Sequence, residues 1–244
     1  MAGHDVLKLI MIETTITIDG PAASGKTTVG YQLAEKLGYV FLDTGVMYRA
    51  VTLVTLNRDI DPNNEAAVVE IANNLQFDIS PEVDHPDGRH YTVLVNGEDA
   101  TWQIRSPGVN ENVSVVSSYP AVRAEMVRLQ REFAAGHAVV MVGRDIGTVV
   151  LPHAPLKFYM DATAEIRALR RLSDHLVRNY NSVEFEKILA DIERRDAIDS
   201  SRAHSPLKPA EDAVVIDTSQ LTPNGVLEKM IESVEERGLP DLAA

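Results

Sequence analysis

The stretch ITIDGPAASGKTTVG, residues 16–30, limits what this chain can fold into more than any other part of it. The run TTITID (14–19) reads as a short buried strand, bounded by glycine and proline. Gly20, Gly25, Lys26 and Thr27 then fill the pattern G-x-x-x-x-G-K-[ST]. From Thr27 onward, Val29, Leu33, Ala34 and Leu37 recur at helical spacing until Gly38 stops the helix. Strand, glycine-rich loop and helix in that order form a cradle for phosphates. The glycines let the backbone curl so that its amides point inward, and the helix adds its positive N-terminal end. The expected nucleotide contacts are Gly20, Pro21, Ala22, Ala23, Ser24, Gly25, Lys26, Thr27 and Thr28. Lys26 is a mobile point charge for β- and γ-phosphates, and Thr27 Oγ is a Mg²⁺ ligand.

Beyond the cradle, strands and helices continue to alternate. YVFLD (39–43) reads as a second strand, and 45–58 and 64–74 as helices. LQFDIS and HYTVLVNGEDA, separated by the turn signal HPDGRH, predict a small antiparallel unit. Helices are expected over 108–118 and 120–135, strands over 137–143 and 156–160, and helices over 164–180 and 183–199. A strand at 213–217 and a helix at 223–237 close the chain. Alternation of this kind predicts an α/β fold with a parallel, doubly wound sheet and an inserted antiparallel piece near 75–105. No internal repeat, low-complexity tract or flexible linker interrupts it, and Met11 stands as a candidate start.

Composition removes several classes of function. The 244 residues contain no cysteine, which excludes disulfides, thiolate metal sites and a cysteine nucleophile. A formal charge of −13 argues against a broad nucleic-acid surface, so an anionic ligand must be met by locally concentrated arginines. No apolar run reaches spanning length, and residues 6–12 are too short for a signal-peptide core, so the cytoplasm is the expected location. A guanine-reading N-K-x-D tetrapeptide and a D-x-x-G sensor are both absent, which weakens the reading as a hydrolytic switch.

Five segments taken together carry a family resemblance: IDGPAASGKTT, LDTGVMYRA (42–50), IRSPGVNENVSVVS, VGRDIGTVV and ERRDAIDSSR. In this order they resemble bacterial cytidylate kinases of the nucleoside monophosphate kinase group, from about residue 14 to the last helix. The resemblance implies a P-loop kinase core over 14–74, 106–163 and 184–240, a monophosphate-binding insert over roughly 75–105, and a helical lid over 164–183. Residues 1–13 stand outside as an N-terminal extension. It implies transfer of the ATP γ-phosphoryl group to CMP or dCMP with Mg²⁺, by a monomer that needs neither nucleic acid nor membrane.

Residue by residue, the resemblance sets Ser114, Arg123 and Asp145 around the cytosine ring. Chemistry agrees, since a carboxylate accepts from the exocyclic amine while a guanidinium donates to ring nitrogen and carbonyl. Uracil would turn an acceptor toward that carboxylate, so CMP is preferred over UMP. Thr44, Tyr48, Arg49 and Arg105 line the acceptor side, and Arg49, Arg144 and Arg202 hold the acceptor phosphate. Arg195 and Asp199 fall near the acceptor sugar and the transferring group. Lys26, Arg144, Arg195 and Arg202 are the expected catalytic cations, because phosphoryl transfer asks for in-line positioning and positive charge.

In the lid, Arg167, Arg170 and Arg171 stand at i, i+3 and i+4 and share one helix face, from which one or two would close over ATP phosphates. Family members often carry an acid just before the GRD triplet, where this chain has Val142. That departure leaves Thr27, waters and phosphate oxygens to organise Mg²⁺, and it supports the rival reading of a silent nucleotide-binding regulator. A second rival is a related kinase that uses UMP or a non-nucleotide acceptor. No general base is required, and His85, His90, His137 and His153 read as surface or loop residues.

Overall fold

The computed structural model describes residues 14–81, 86–87, 89, 91–177 and 184–243. The N-terminal extension with Met11, part of the HPDGRH turn and the last six residues of the expected lid lie outside the described residues. The chain divides into two compact units, Met1–Phe41 with Ala134–Ala244, and Leu42–Phe133. The second unit contains the 75–105 insert and extends well beyond it on both sides.

The first unit is built on a five-stranded sheet of order β2-β6-β1-β7-β8, with β1 Thr15–Asp19, β2 Val40–Asp43, β6 Val139–Gly143, β7 Leu156–Asp161 and β8 Val214–Asp217. β1 pairs in parallel with β6 (Thr15 beside Val139, Asp19 beside Gly143) and with β7 (Asp19 beside Tyr159). β7 pairs in parallel with β8. Both β1 and β6 are buried along their whole length, which accounts for their uninterrupted apolar or threonine-rich sequences. Around the sheet run helices α1 Lys26–Leu37, α6 Ala164–Val177, α7 Phe185–Ser201 and α8 Pro223–Glu236. The core gathers Ile16, Ile18, Val29, Leu33, Val140, Phe158, Met230 and their neighbours. α1 lies so close to the sheet that a Cβ on Gly30 would stand 2.7 Å from Val142 Cγ1.

In the second unit, α2 Gly45–Asn57 and α3 Glu65–Asn74 lead into a three-stranded sheet of order β3-β4-β5 (Phe77–Pro81, Tyr91–Val95, Glu98–Asp99). Its pairings are antiparallel, with Phe77 opposite Val95 and Leu94 opposite Asp99. A short 3₁₀ turn at Gln103–Arg105 precedes α4 Pro107–Val116 and α5 Pro120–Ala134. Each of these helices opens on a proline, whose missing N–H costs nothing in a first turn.

Besides the 3₁₀ turn, one further element was not expected from the sequence. After β6, residues Ile146–Val150 form a single π-helical turn, with Val150 N–H donating to Asp145 O at 3.1 Å and Leu151 N–H to Ile146 O at 2.7 Å. Such wide turns often mark functional positions, and this one begins immediately after Asp145.

Candidate active site

The phosphate cradle of the first unit has the geometry its glycines imply. Gly20 takes φ +146°, and a Cβ there would stand 2.1 Å from Met160 O of β7, so no other residue fits. Ala23 (φ 60°) and Gly25 (φ 96°) are also left-handed, which curls the loop before α1 begins at Lys26. The Lys26 side chain is buried and lies back over the loop, donating to Pro21 O at 2.6 Å and Ser24 Oγ at 3.2 Å. Thr27 follows in the first helical turn, half-buried, and Thr28 is exposed.

Two of the arginines expected in the lid hold this loop by its carbonyls. Arg167, only 4% exposed, donates to Ala22 O at 3.2 Å and Ala162 O at 2.9 Å, and pairs with Asp196 at 2.5 Å. Arg170 donates to Ser24 O at 3.5 Å and to Thr218 O at 2.5 Å. Arg171 is different. Among the described residues it makes no hydrogen bond or ion pair; burial lowers its pKa, opposed by Asp191 and Asp174 and assisted by the nearby Arg144. All three arginines stand on α6, and two of them, Arg167 and Arg170, donate to loop carbonyls.

A second cluster of charge centres on Asp199 in α7. Its carboxylate, 2% exposed, accepts from Arg144 Nε and from Arg202 Nη2. Burial acts to raise the Asp199 pKa, yet Arg144, Arg202 and Arg195 together hold it below the ordinary value. Arg195 is itself buried on the same helix, one turn earlier. Arg144 and three residues of the segment ERRDAIDSSR therefore meet in one group.

Asp145 is 4% exposed, at the start of the π turn. The backbone next to it is held by a residue the sequence did not single out. Asp19, at the end of β1, accepts from Ile146 N–H and Gly147 N–H, both at 2.8 Å. Burial pushes the Asp19 carboxyl up to about 6, against the lowering effect of those two N–H donors. Val142 lies in the hydrophobic core cluster at 1% exposure, facing the helix that carries Gly30. Its side chain thus belongs to the packing of α1 on the sheet.

In the second unit, Arg123 of α5 is 5% exposed, with its guanidinium carbon 5.3 Å from the centroid of the Tyr48 ring and Nη1 donating to Ser117 O at 3.2 Å. Ser114 on α4 is 3% exposed. Arg49 donates to Ile104 O at 3.0 Å and Asn110 Oδ1 at 2.7 Å, while Asn110 Nδ2 donates to Arg105 O at 2.8 Å. Arg105 donates in turn to the Tyr91 hydroxyl at 3.0 Å. Asn110, absent from the sequence expectations, thus links the two arginines, and Tyr91, also absent from them, receives the Arg105 guanidinium. Thr44 is buried but does not cap α2 with its side chain; Asp43 Oδ1 receives the Gly45 N–H at 3.0 Å instead.

Known proteins bear on this arrangement directly. A family model described as cytidylate kinase matches residues 16–236. A cytidylate kinase of Anoxybacillus flavithermus is 47% identical over 223 residues, 91% of this chain and 96% of that protein. One from Chloroflexus aggregans is 50% identical over 213 residues, 87% of this chain and 90% of the relative. A third, from Mycolicibacterium paratuberculosis, is 46% identical over 226 residues, 92% and 96% of the two chains. The matched residues include the phosphate cradle, the Asp199 cluster and the second unit alike, and the chain belongs to the cytidylate kinase family.

Proposed function

We infer that the chain moves the γ-phosphoryl group of ATP to CMP or dCMP, yielding ADP and CDP or dCDP. Family membership makes it a nucleoside monophosphate kinase that uses ATP. The observation that carries the chemistry is the Asp199 cluster, where one buried carboxylate orients Arg144 and Arg202 with Arg195 beside them. Phosphoryl transfer needs cations held around a spreading negative charge, and planar guanidinium forks grip phosphate oxygens in pairs. Arg144 and Arg202, with Arg49, receive the acceptor phosphate. Arg195 and Lys26 steady the group in transit, and Asp199 meets the acceptor sugar while fixing its two arginines.

The acceptor base is read by Asp145, which accepts from the cytosine amine, and by Arg123, which donates to ring nitrogen and carbonyl; Ser114 completes the set. The ring of Tyr48 limits where the Arg123 guanidinium can go. Thr44, Tyr48 and Arg105 line the acceptor's side. On the donor side the amides of residues 20–28 hold the ATP phosphates. Of the lid arginines, Arg171 is the one that reaches the transferring phosphate, because Arg167 and Arg170 are committed to loop carbonyls.

No group of three or more His, Cys, Asp or Glu suited to a metal occurs among the described residues. Thr27, in the first turn of α1 and half-buried, is the residue that would hold Mg²⁺ through its Oγ, with waters and phosphate oxygens filling the other positions. When bound the ion neutralises charge between the β- and γ-phosphates. The position of Val142 in the core removes the support it gave to a silent regulator. We place the enzyme in the cytoplasm as a monomer, without nucleic-acid or membrane partners; among the described residues no helix is long and apolar enough to cross a membrane.

A coupled ADP-release assay with ATP and Mg²⁺ tests the reading, comparing CMP, dCMP, UMP, AMP and no acceptor. Fast release with CMP and dCMP alone supports it. Release without acceptor points to a hydrolase, and equal rates with UMP reject the base-reading assignment.

A further inference from the structure

β1 delivers Asp19 to the underside of the π turn that starts at Asp145, although 126 positions separate the two in sequence. Both carboxylate oxygens are used, one on Ile146 N–H and the other on Gly147 N–H, each at 2.8 Å. Those two amides open the π turn, where no preceding carbonyl of the turn is in place to receive them. The contact is tight. A Cβ on Gly147 would lie 2.9 Å from Thr17 Oγ1, 3.1 Å from Lys157 Cδ and 3.4 Å from Asp19 Oδ2, so the turn is pressed directly onto β1 and β7.

We propose that Asp19 is a positioning residue for the acceptor base: by clamping the Ile146 and Gly147 amides it sets the backbone from which Asp145 projects. The inference rests on the assignment of Asp145 to the cytosine amine. An ionised carboxylate suits two N–H donors, since it only accepts. Asparagine at this place would satisfy one amide and turn its own N–H₂ toward the other. The charges that face Asp19 are Asp145, which opposes its ionisation, and Lys26, which favours it, with Tyr159 on the paired strand and Lys157 alongside the turn. Because the carboxyl is pushed up to about 6, its grip on the two amides weakens in mildly acid solution.

The clamp can be tested without a variant. In isotope-labelled wild-type protein, the Ile146 and Gly147 amide resonances should titrate together with a midpoint at about 6, and this step should be missing from Asp19→Asn. Ile146 and Gly147 amide resonances that are the same in wild type and Asp19→Asn across roughly pH 4 to 8 overturn the clamp. In kinetics, D19N should raise the KM for CMP about tenfold or more and lower the CMP-over-UMP ratio, with the KM for ATP changed less than about twofold. An unchanged KM for CMP, or a KM for ATP that rises just as far, overturns the assignment and makes Asp19 a support of the phosphate loop. Asp145→Asn is measured alongside. If the CMP-over-UMP ratio survives D145N, the base-reading assignment itself is wrong, and the amide titration still decides whether Asp19 holds the turn.

Discussion

The guanidinium of Arg123 lies over the ring of Tyr48, 5.3 Å from its centroid, with both side chains almost wholly buried. A cation in that position cannot swing away from the ring without losing the attraction between charge and π-face. Tyr48→Phe keeps the face and should leave the CMP-over-UMP ratio of kcat/KM within about twofold, whereas Tyr48→Ala should lower it about tenfold. Arg123→Met should flatten that ratio further while the KM for ATP stays nearly constant. A ratio untouched by R123M would remove Arg123 from the reading of the base.

Asp199 holds Arg144 and Arg202 at once, so Asp199→Ala removes a buried carboxylate that two cations share. We expect a loss of stability of about 3 kcal/mol or more, visible as a lower urea midpoint, with kcat falling at least about a hundredfold. Asp199→Asn keeps the shape and should fold better than the alanine variant, yet still lose most of the rate. Full activity in D199N would show that the carboxylate serves packing alone.

Asp19 and Asp199, both buried in the first unit, give opposite signatures against pH. Asp19 has its pKa raised in the folded chain from 3.8 to about 6, so its contribution to stability is complete below the unfolded value and is lost as pH climbs through about 6. Asp199 is lowered, so its contribution is present above the unfolded value and disappears as pH falls through the folded one. Unfolding free energies of wild type minus D19N should therefore decline between about pH 4 and 7, by up to about 3 kcal/mol at about 1.4 kcal/mol per pKa unit. Wild type minus D199N should instead grow with pH, below about pH 4. Chemical denaturation across that range, repeated for each pair, checks both slopes.

Val142→Asp tests whether an acid before the GRD triplet could reach metal in this chain. The carboxylate would enter the cluster of Ile18, Val140 and Phe158, next to Gly30 of α1. Stability should drop by about 3 kcal/mol or more, with no gain in apparent Mg²⁺ affinity in the kinase assay. A stable V142D enzyme that needs less Mg²⁺ would place this position at the metal after all.

Much of this molecule is legible in its sequence, and the limits have physical causes. The cradle can be read because its chemistry demands a fixed local spacing, and most elements end within one or two residues of expectation. The order of the strands cannot, since β1 pairs with β6 and β7 through residues more than a hundred positions away. Asp19 escapes notice for the same reason; a lone aspartate at a strand end looks like any loop acid until its distant amides are known. In β6, an unbroken buried run hides which face each side chain takes, so Val142 reads as a gap in the site when it belongs to the core. The spacing of Arg167, Arg170 and Arg171 shows a common face, but only the fold reveals that two of them serve loop carbonyls.

Those two arginines have a consequence for how ATP is received. With Ala22 O and Ser24 O held from α6, and Gly20 lodged against Met160 O, the phosphate loop is braced on several sides by its own protein. Little conformational freedom is left for the nucleotide to take away. The entropy that a floppy loop would surrender on binding has already been surrendered during folding, and the affinity of the phosphates for these amides is correspondingly undiluted.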